Sequence, residues 1–274
     1  MHKFDWIYEF SLIIYAVSLL GYFIDFLQHN RKANRIAFWL LSIVWLLQTV
    51  YFFASFIHLN RVPILTQYEG LYFVSWLIVA LSLIINRFSR IDFFVFFANI
   101  VGFVMMSVYL FSPESEFIPL LTDMMTTELF VMHIAMAFLA YAAFALSFVF
   151  AMMYVIQYEI LKNKIGFRRL GRFGSLTELE KMSFFFTMLG VPFLLISLIW
   201  GVIWGHLTLD AFFYFDAKVV TSAIVFIAYS YFLYMKIAKK KQGKNLALTN
   251  IAAFLLLLIN LFLSQTFSTF HWWQ

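Results

Sequence analysis

The sequence predicts an all-α, polytopic integral membrane protein with eight transmembrane helices and both termini outside. Three observations predict it. Of 274 residues, 64% are hydrophobic and 12% are charged, with a mean hydropathy of +0.89, whereas a soluble domain carries roughly 25% charged residues. The apolar residues gather in eight long runs and lack the period-two alternation that a barrel requires. The basic residues fall in alternate loops, as membrane topology dictates.

The runs cover about 7–27, 36–56, 70–86, 93–111, 129–156, 183–204, 219–237 and 246–264, and the chain 1–274 reads as a single membrane domain. Each run is near or above the roughly 17–25 residues that cross a bilayer as a helix. Helices are the expected form because lipid offers no partner to open backbone groups. The first run is long enough to stay as a span, and the residues before it lack a basic region leading to a small-residue cleavage site. The third is at the short end. The fifth is long enough to tilt or project, and Ala135, Ala137, Ala140, Ala142 and Ala143 favour close helix packing there. Before the sixth, Ser175 and Glu178 read as a capping box that opens a short helix feeding the span. Gly190 and Pro192 are the clear helix breakers inside a run.

Sixteen of the nineteen Lys and Arg residues lie on one side, in the loops after the first, third, fifth and seventh runs. Lys3, Arg61 and Lys218 lie on the other. The positive-inside rule makes the rich side cytoplasmic. The net charge of +5 therefore records topology and contact with anionic lipid, not nucleic-acid binding. The largest cytoplasmic loop, 157–182, is a basic lipid-facing turn or a protein-docking loop. Outside, 112–128 is acidic, and 118–127 can lie along the interface as an amphipathic helix. With no cysteine, the chain forms no disulfide, thioether or thiolate metal site.

Four of the six histidines, His58, His133, His206 and His271, fall on the outer side. Imidazole suits haem iron and other transition metals. An ionisable residue near the bilayer is a functional candidate; the alternative is an interfacial side chain with one wet end. His133 lies four residues into the fifth run, about 6 Å deep at 1.5 Å per residue. The segment 199–218 follows, with Trp200, Trp204, His206, Phe212, Phe213, Tyr214, Phe215, Asp216 and Lys218. It reads as a re-entrant or interfacial stretch of rings interrupted by glycine. Its rings can stack on a planar macrocycle, and Lys218 can pair with a propionate; an ordinary aromatic belt is the alternative. No nucleophile–base pairing, intramembrane carboxylate pair or nucleotide-binding glycine pattern is readable, so an enzyme is not expected. A solute transporter is the weakest reading, since its broken helices with mid-membrane polar groups are poorly represented.

The order of these elements resembles the cytochrome c assembly superfamily, whose haem-handling loop is flanked by two haem-ligating histidines. Trp204, Phe213, Phe215, Asp216 and Lys218 match the loop, and His133 and His271 match the flanking pair. Residues 62–64 and 68–71 also resemble the family's outer loop before its next span. The chain departs from the pattern at Leu209, Phe213 and Phe215, where the family has tryptophans, and at Asp210, Ala217 and Val219. Size, eight spans, absent cysteine and the weakened loop resemble the HemX branch.

The resemblance implies a protein of the bacterial cytoplasmic membrane with His133 and His271 as axial haem ligands. His206 and His58 are second-tier candidates. It implies no metal other than haem iron, and a role in lowering the level of glutamyl-tRNA reductase in tetrapyrrole synthesis. The reductase or its protease would act through loop 157–182. Haem delivery or export in c-type cytochrome assembly is the alternative. Axial imidazoles must be neutral, so haem binding should weaken as pH falls.

Overall fold

The structure, a computed structural model, describes residues 5–88, 91–109, 127–164, 172–208 and 215–262. Among these residues there are eight helices and no strand: α1 Asp5–Gln28, α2 Arg31–Leu59, α3 Gln67–Phe88, α4 Asp92–Tyr109, α5 Glu128–Lys162, α6 Leu176–Thr208, α7 Ala217–Ile237 and α8 Lys244–Phe262. Seven are long and apolar enough to cross a membrane, and α4 carries the shorter apolar stretch Phe93–Val108. They gather into two compact units, α1–α4 and α5–α8, which divide between Glu114 and Ser115.

In the first unit, α1 turns into α2 through His29, in the left-handed region at φ 55°. Asn30 caps α2 by accepting from the backbone N–H groups of Lys32 and Ala33. Apolar side chains fill most of the interior, so the buried polar groups must find each other. Asn99 on α4 accepts from the Tyr15 hydroxyl at 2.8 Å and donates to Ser82 Oγ at 2.8 Å. Gln48 Nε2 on α2 donates to Ser75 Oγ at 3.3 Å, and the main-chain carbonyl of Gln48 accepts from the Tyr72 hydroxyl at 2.8 Å. At the start of α3, Glu69 takes Arg61 in a two-pronged ion pair at 2.8 and 2.9 Å. The same carboxylate accepts from Leu65 N and Thr66 N, while Thr66 Oγ1 accepts from Glu69 N, a capping box.

The second unit is built on α5 and α6. At 35 residues, α5 is about 52 Å long, well beyond a hydrocarbon core of roughly 30 Å. The helix α6 holds Pro192 in its interior and continues past it. Beside the proline, Gly190 lets α5 approach: a Cβ there would lie 2.5 Å from the Phe144 ring. That ring is backed by Tyr229 of α7, stacked at 3.7 Å and 6°. A buried hydroxyl cluster ties α5, α6 and α8 together. Ser147 Oγ donates to the Ser183 carbonyl at 2.6 Å, and Asn250 Nδ2 donates to Ser147 Oγ at 2.7 Å and Thr187 Oγ1 at 3.1 Å. At that end of the unit, Glu180 holds Lys236 and the Gly243 N–H, and Glu159 pairs with Lys244.

Two expectations for α6 are corrected. Ser175 does cap a helix start, accepting from Glu178 N at 3.1 Å, but that helix is not a separate short one; it runs unbroken to Thr208. The stretch 199–218 is therefore not re-entrant over 199–208: Gly201 and Gly205 lie inside regular helix. The residues 209–214 lie outside those described.

Candidate functional site

One end of the second unit gathers side chains from all four of its helices. His133, in the second turn of α5, lays its ring against α6. Its Nδ1 is 2.7 Å from the Ser197 carbonyl oxygen. A carbonyl can only accept, so Nδ1 carries the proton and donates it there. Ser197 returns the contact, its Oγ donating to the His133 carbonyl at 2.8 Å. The tautomer is thereby fixed, and the lone pair resides on Nε2, which makes no hydrogen bond among the described residues. Gly201, one turn beyond Ser197, permits this approach: a Cβ there would lie 2.7 Å from both Cε1 and Nδ1 of His133.

Aromatic rings wall the imidazole. Trp204 of α6 is buried, and its ring packs on Phe130 of α5 with centroids 4.6 Å apart. Phe130 in turn lies 6.4 Å from the His133 ring. Trp204 therefore serves the α5–α6 seam rather than standing open as a flat plate.

The start of α7 supplies a cation. Asp216 is buried and caps α7, accepting from Lys218 N at 2.9 Å. The Lys218 ammonium donates to the main-chain oxygen of Asn260 on α8 at 3.2 Å. Asn260 is itself locked. Its Oδ1 accepts from Thr221 Oγ1 at 2.7 Å, and its Nδ2 donates to the Tyr141 hydroxyl at 3.4 Å.

Of the residues singled out from sequence, His133, Trp204, Asp216 and Lys218 come together at this end. Phe215 adjoins them in sequence but is 94% exposed. His206 is exposed in the last turn of α6, with Nδ1 3.1 Å from the Val202 carbonyl. His58 is exposed in the last turn of α2, in the first unit. Phe213 and His271 lie outside the described residues. Sequence reasoning missed Phe130, Tyr141, Ser197, Gly201, Thr221 and Asn260. The spacing of Ser197 and Gly201 is the small-xxx-small signal of close helix approach, and Asn260 is an amide inside an apolar run.

The apolar helices and their lipid-suited surfaces define a multi-pass helical membrane protein, and its second unit presents a preset imidazole at the same end as a half-buried lysine. The family model for cytochrome C assembly protein matches residues 64–271. The chain belongs to that family. It is 48% identical over 266 residues to Protein HemX of Bacillus subtilis, covering 97% of this chain and 96% of the relative. It is 43% identical to Protein HemX of Brevibacillus brevis over the whole of both chains. More distantly, it is 26% identical to cytochrome c biogenesis protein CcsA of Prochlorococcus marinus, over 92% of this chain and 87% of that one. No solved structure matches the chain.

The family relates to haem handling, so the fit of that group is tested by the donor set. Among the described residues no three of His, Asp or Glu come together as a free metal ion would need. One neutral imidazole with its Nδ1–H on a carbonyl is instead the usual state of a metal-ligating histidine. His133 would suit a group that brings most of its own metal ligands and asks the protein for an imidazole.

Proposed function

We propose that this chain is a HemX-type regulator that lowers the level of glutamyl-tRNA reductase and binds haem on the outer face of the bacterial cytoplasmic membrane. The observation that carries the haem reading is the His133 tautomer, with Nδ1–H spent on Ser197 and Nε2 left to ligate. His133 and His271 would hold the iron, with Lys218 at the same end of the unit and Trp204 and Phe130 closing the seam. Bound haem would supply an iron that takes imidazole nitrogens. The regulatory reading rests on the two HemX relatives, which match along nearly the whole chain.

The orientation follows from charge. Lys236, Lys239, Lys240, Lys241 and Lys244 cluster at the end of the second unit opposite His133, which the positive-inside rule assigns to the cytoplasm. There, Gln157 Nε2 donates to the Gly174 carbonyl at 2.6 Å and Phe173 is buried. The connection between α5 and α6 is thus shorter than the 157–182 loop expected, because 157–162 and 176–182 are helical, and its end before α6 is anchored to α5, which suits a surface that docks the reductase or its protease. Deleting the gene tests the regulatory reading. Reductase level should rise while holocytochrome c stays normal; loss of holocytochrome c with unchanged reductase would mark haem delivery instead, the role in the name of the CcsA relatives.

A further inference from the structure

We propose that the turn between α7 and α8 binds the headgroup of an anionic phospholipid through Lys239, Lys240 and Lys241, with the Tyr234 ring under Lys239. This goes beyond the haem and regulatory readings and depends on neither.

The backbone of the turn is clamped to the helices around it. The N–H groups of Ala238 and Lys239 close α7 on the Tyr234 carbonyl at 2.9 and 3.2 Å, and the Lys241 N–H reaches the Met235 carbonyl at 3.0 Å. Lys240 sits in the left-handed region at φ 50°, a position that favours glycine after a helix end. Glu180 of α6 holds both ends of the turn, taking the Lys236 ammonium and the Gly243 N–H. Glu159 of α5 takes Lys244.

These pairings divide the five lysines. Lys236 and Lys244 spend their charge inside the unit. Lys239, Lys240 and Lys241 are exposed, and among the described residues no carboxylate pairs with them, because the two that reach the turn are taken. Three consecutive like charges on a fixed backbone repel one another unless an anion meets them.

The position of the turn selects the anion. Exposed apolar and tyrosine side chains run along α7 through Tyr231 and Tyr234 to Ile237, and Leu248 is exposed in the second turn of α8. Lys239 follows Ile237 by two residues, so the three ammoniums stand where the apolar surface ends. The Lys239 ammonium lies 5.7 Å over the Tyr234 ring, and a tyrosine at the end of a span sits at headgroup level. The anion at that depth is a lipid phosphate. Lysine also suits a diffuse anionic surface, whereas the cores of protein interfaces are depleted in it. Each juxtamembrane lysine is worth roughly fivefold in attraction to an anionic leaflet, so three together should exceed about tenfold even with salt screening.

The chain contains no cysteine, so Gln242→Cys places a single fluorescent label beside the lysines of the full-length protein. The labelled chain is reconstituted in phosphatidylcholine vesicles carrying traces of doxyl-labelled phosphatidylglycerol or doxyl-labelled phosphatidylcholine, whose nitroxide quenches at short range. Half-maximal quenching should need at least about tenfold less phosphatidylglycerol than phosphatidylcholine, and the preference should shrink as salt rises. Lys239→Gln, Lys240→Gln and Lys241→Gln together should remove the preference, the three arginine replacements should keep it, and Lys162→Gln with Lys164→Gln should leave most of it. Equal quenching by the two lipids with the lysines intact, or a preference that survives the three glutamines, would overturn the proposal. A label indifferent to lipid charge but shielded by added polyglutamate would overturn it too, and would assign the turn to an acidic protein.

Discussion

Gly201→Ala isolates the contact on which the site is built. The added Cβ would meet His133 Cε1 and Nδ1 at 2.7 Å, where ordinary contact begins at 3.4 Å. The ring must therefore retreat by about 0.7 Å, and it cannot do so while Nδ1 stays 2.7 Å from the Ser197 oxygen. Forced overpacking costs about 1–3 kcal/mol, and the strained hydrogen bond adds about 1 kcal/mol. Alanine's better helix propensity returns about 1 kcal/mol. The net expectation is a loss of about 1–3 kcal/mol. In a His133→Ala background the obstacle is gone, so the same substitution should be neutral or stabilising by up to about 1 kcal/mol. Equilibrium unfolding in detergent, followed by far-ultraviolet circular dichroism, gives the four corners of this double-mutant cycle. An equal effect of Gly201→Ala in both backgrounds would refute the reasoning.

Three further outcomes follow from the packing and chemistry. Gly190→Ala should destabilise by about 1–3 kcal/mol, because its Cβ would sit 2.5 Å from a Phe144 ring that Tyr229 pins from behind; a thermal melt matching wild type would contradict this. Asn250→Val removes the donor that joins Ser147, Ser183 and Thr187 and should cost about 0.6–2 kcal/mol in detergent unfolding, whereas a stabilised variant would show that the cluster is merely tolerated. Haem affinity should fall as pH drops through the histidine range, since only neutral imidazole ligates iron; a Soret titration that gives equal affinity at the two ends of that range would count against histidine ligation.

How much was legible in the sequence differs between the helices and the site. The spans were legible because length and apolarity are local properties, and α5 showed its excess length directly. The far end of α6 was misread for a physical reason. Gly201 and Gly205 look like breaks in an aromatic segment, yet Gly201 is glycine so that the His133 ring can lie on the helix. A glycine's role in packing depends on what faces it, and sequence alone does not supply that neighbour. Asp216 and Lys218 were legible because they stand at the end of an apolar run. Asn260 and Ser197 were not, because a single amide or hydroxyl in a span is commonly interhelical glue. Their importance appears only when Asn260 is seen under the Lys218 ammonium and Ser197 beside the His133 ring.

The visible spectrum of the purified, haem-reconstituted chain tests the central claim that His133 ligates haem. Wild type should give a six-coordinate, low-spin spectrum, and His133→Ala or His271→Ala should each abolish it. An unchanged spectrum in both variants, or no haem retained by wild type after reconstitution, would contradict the account.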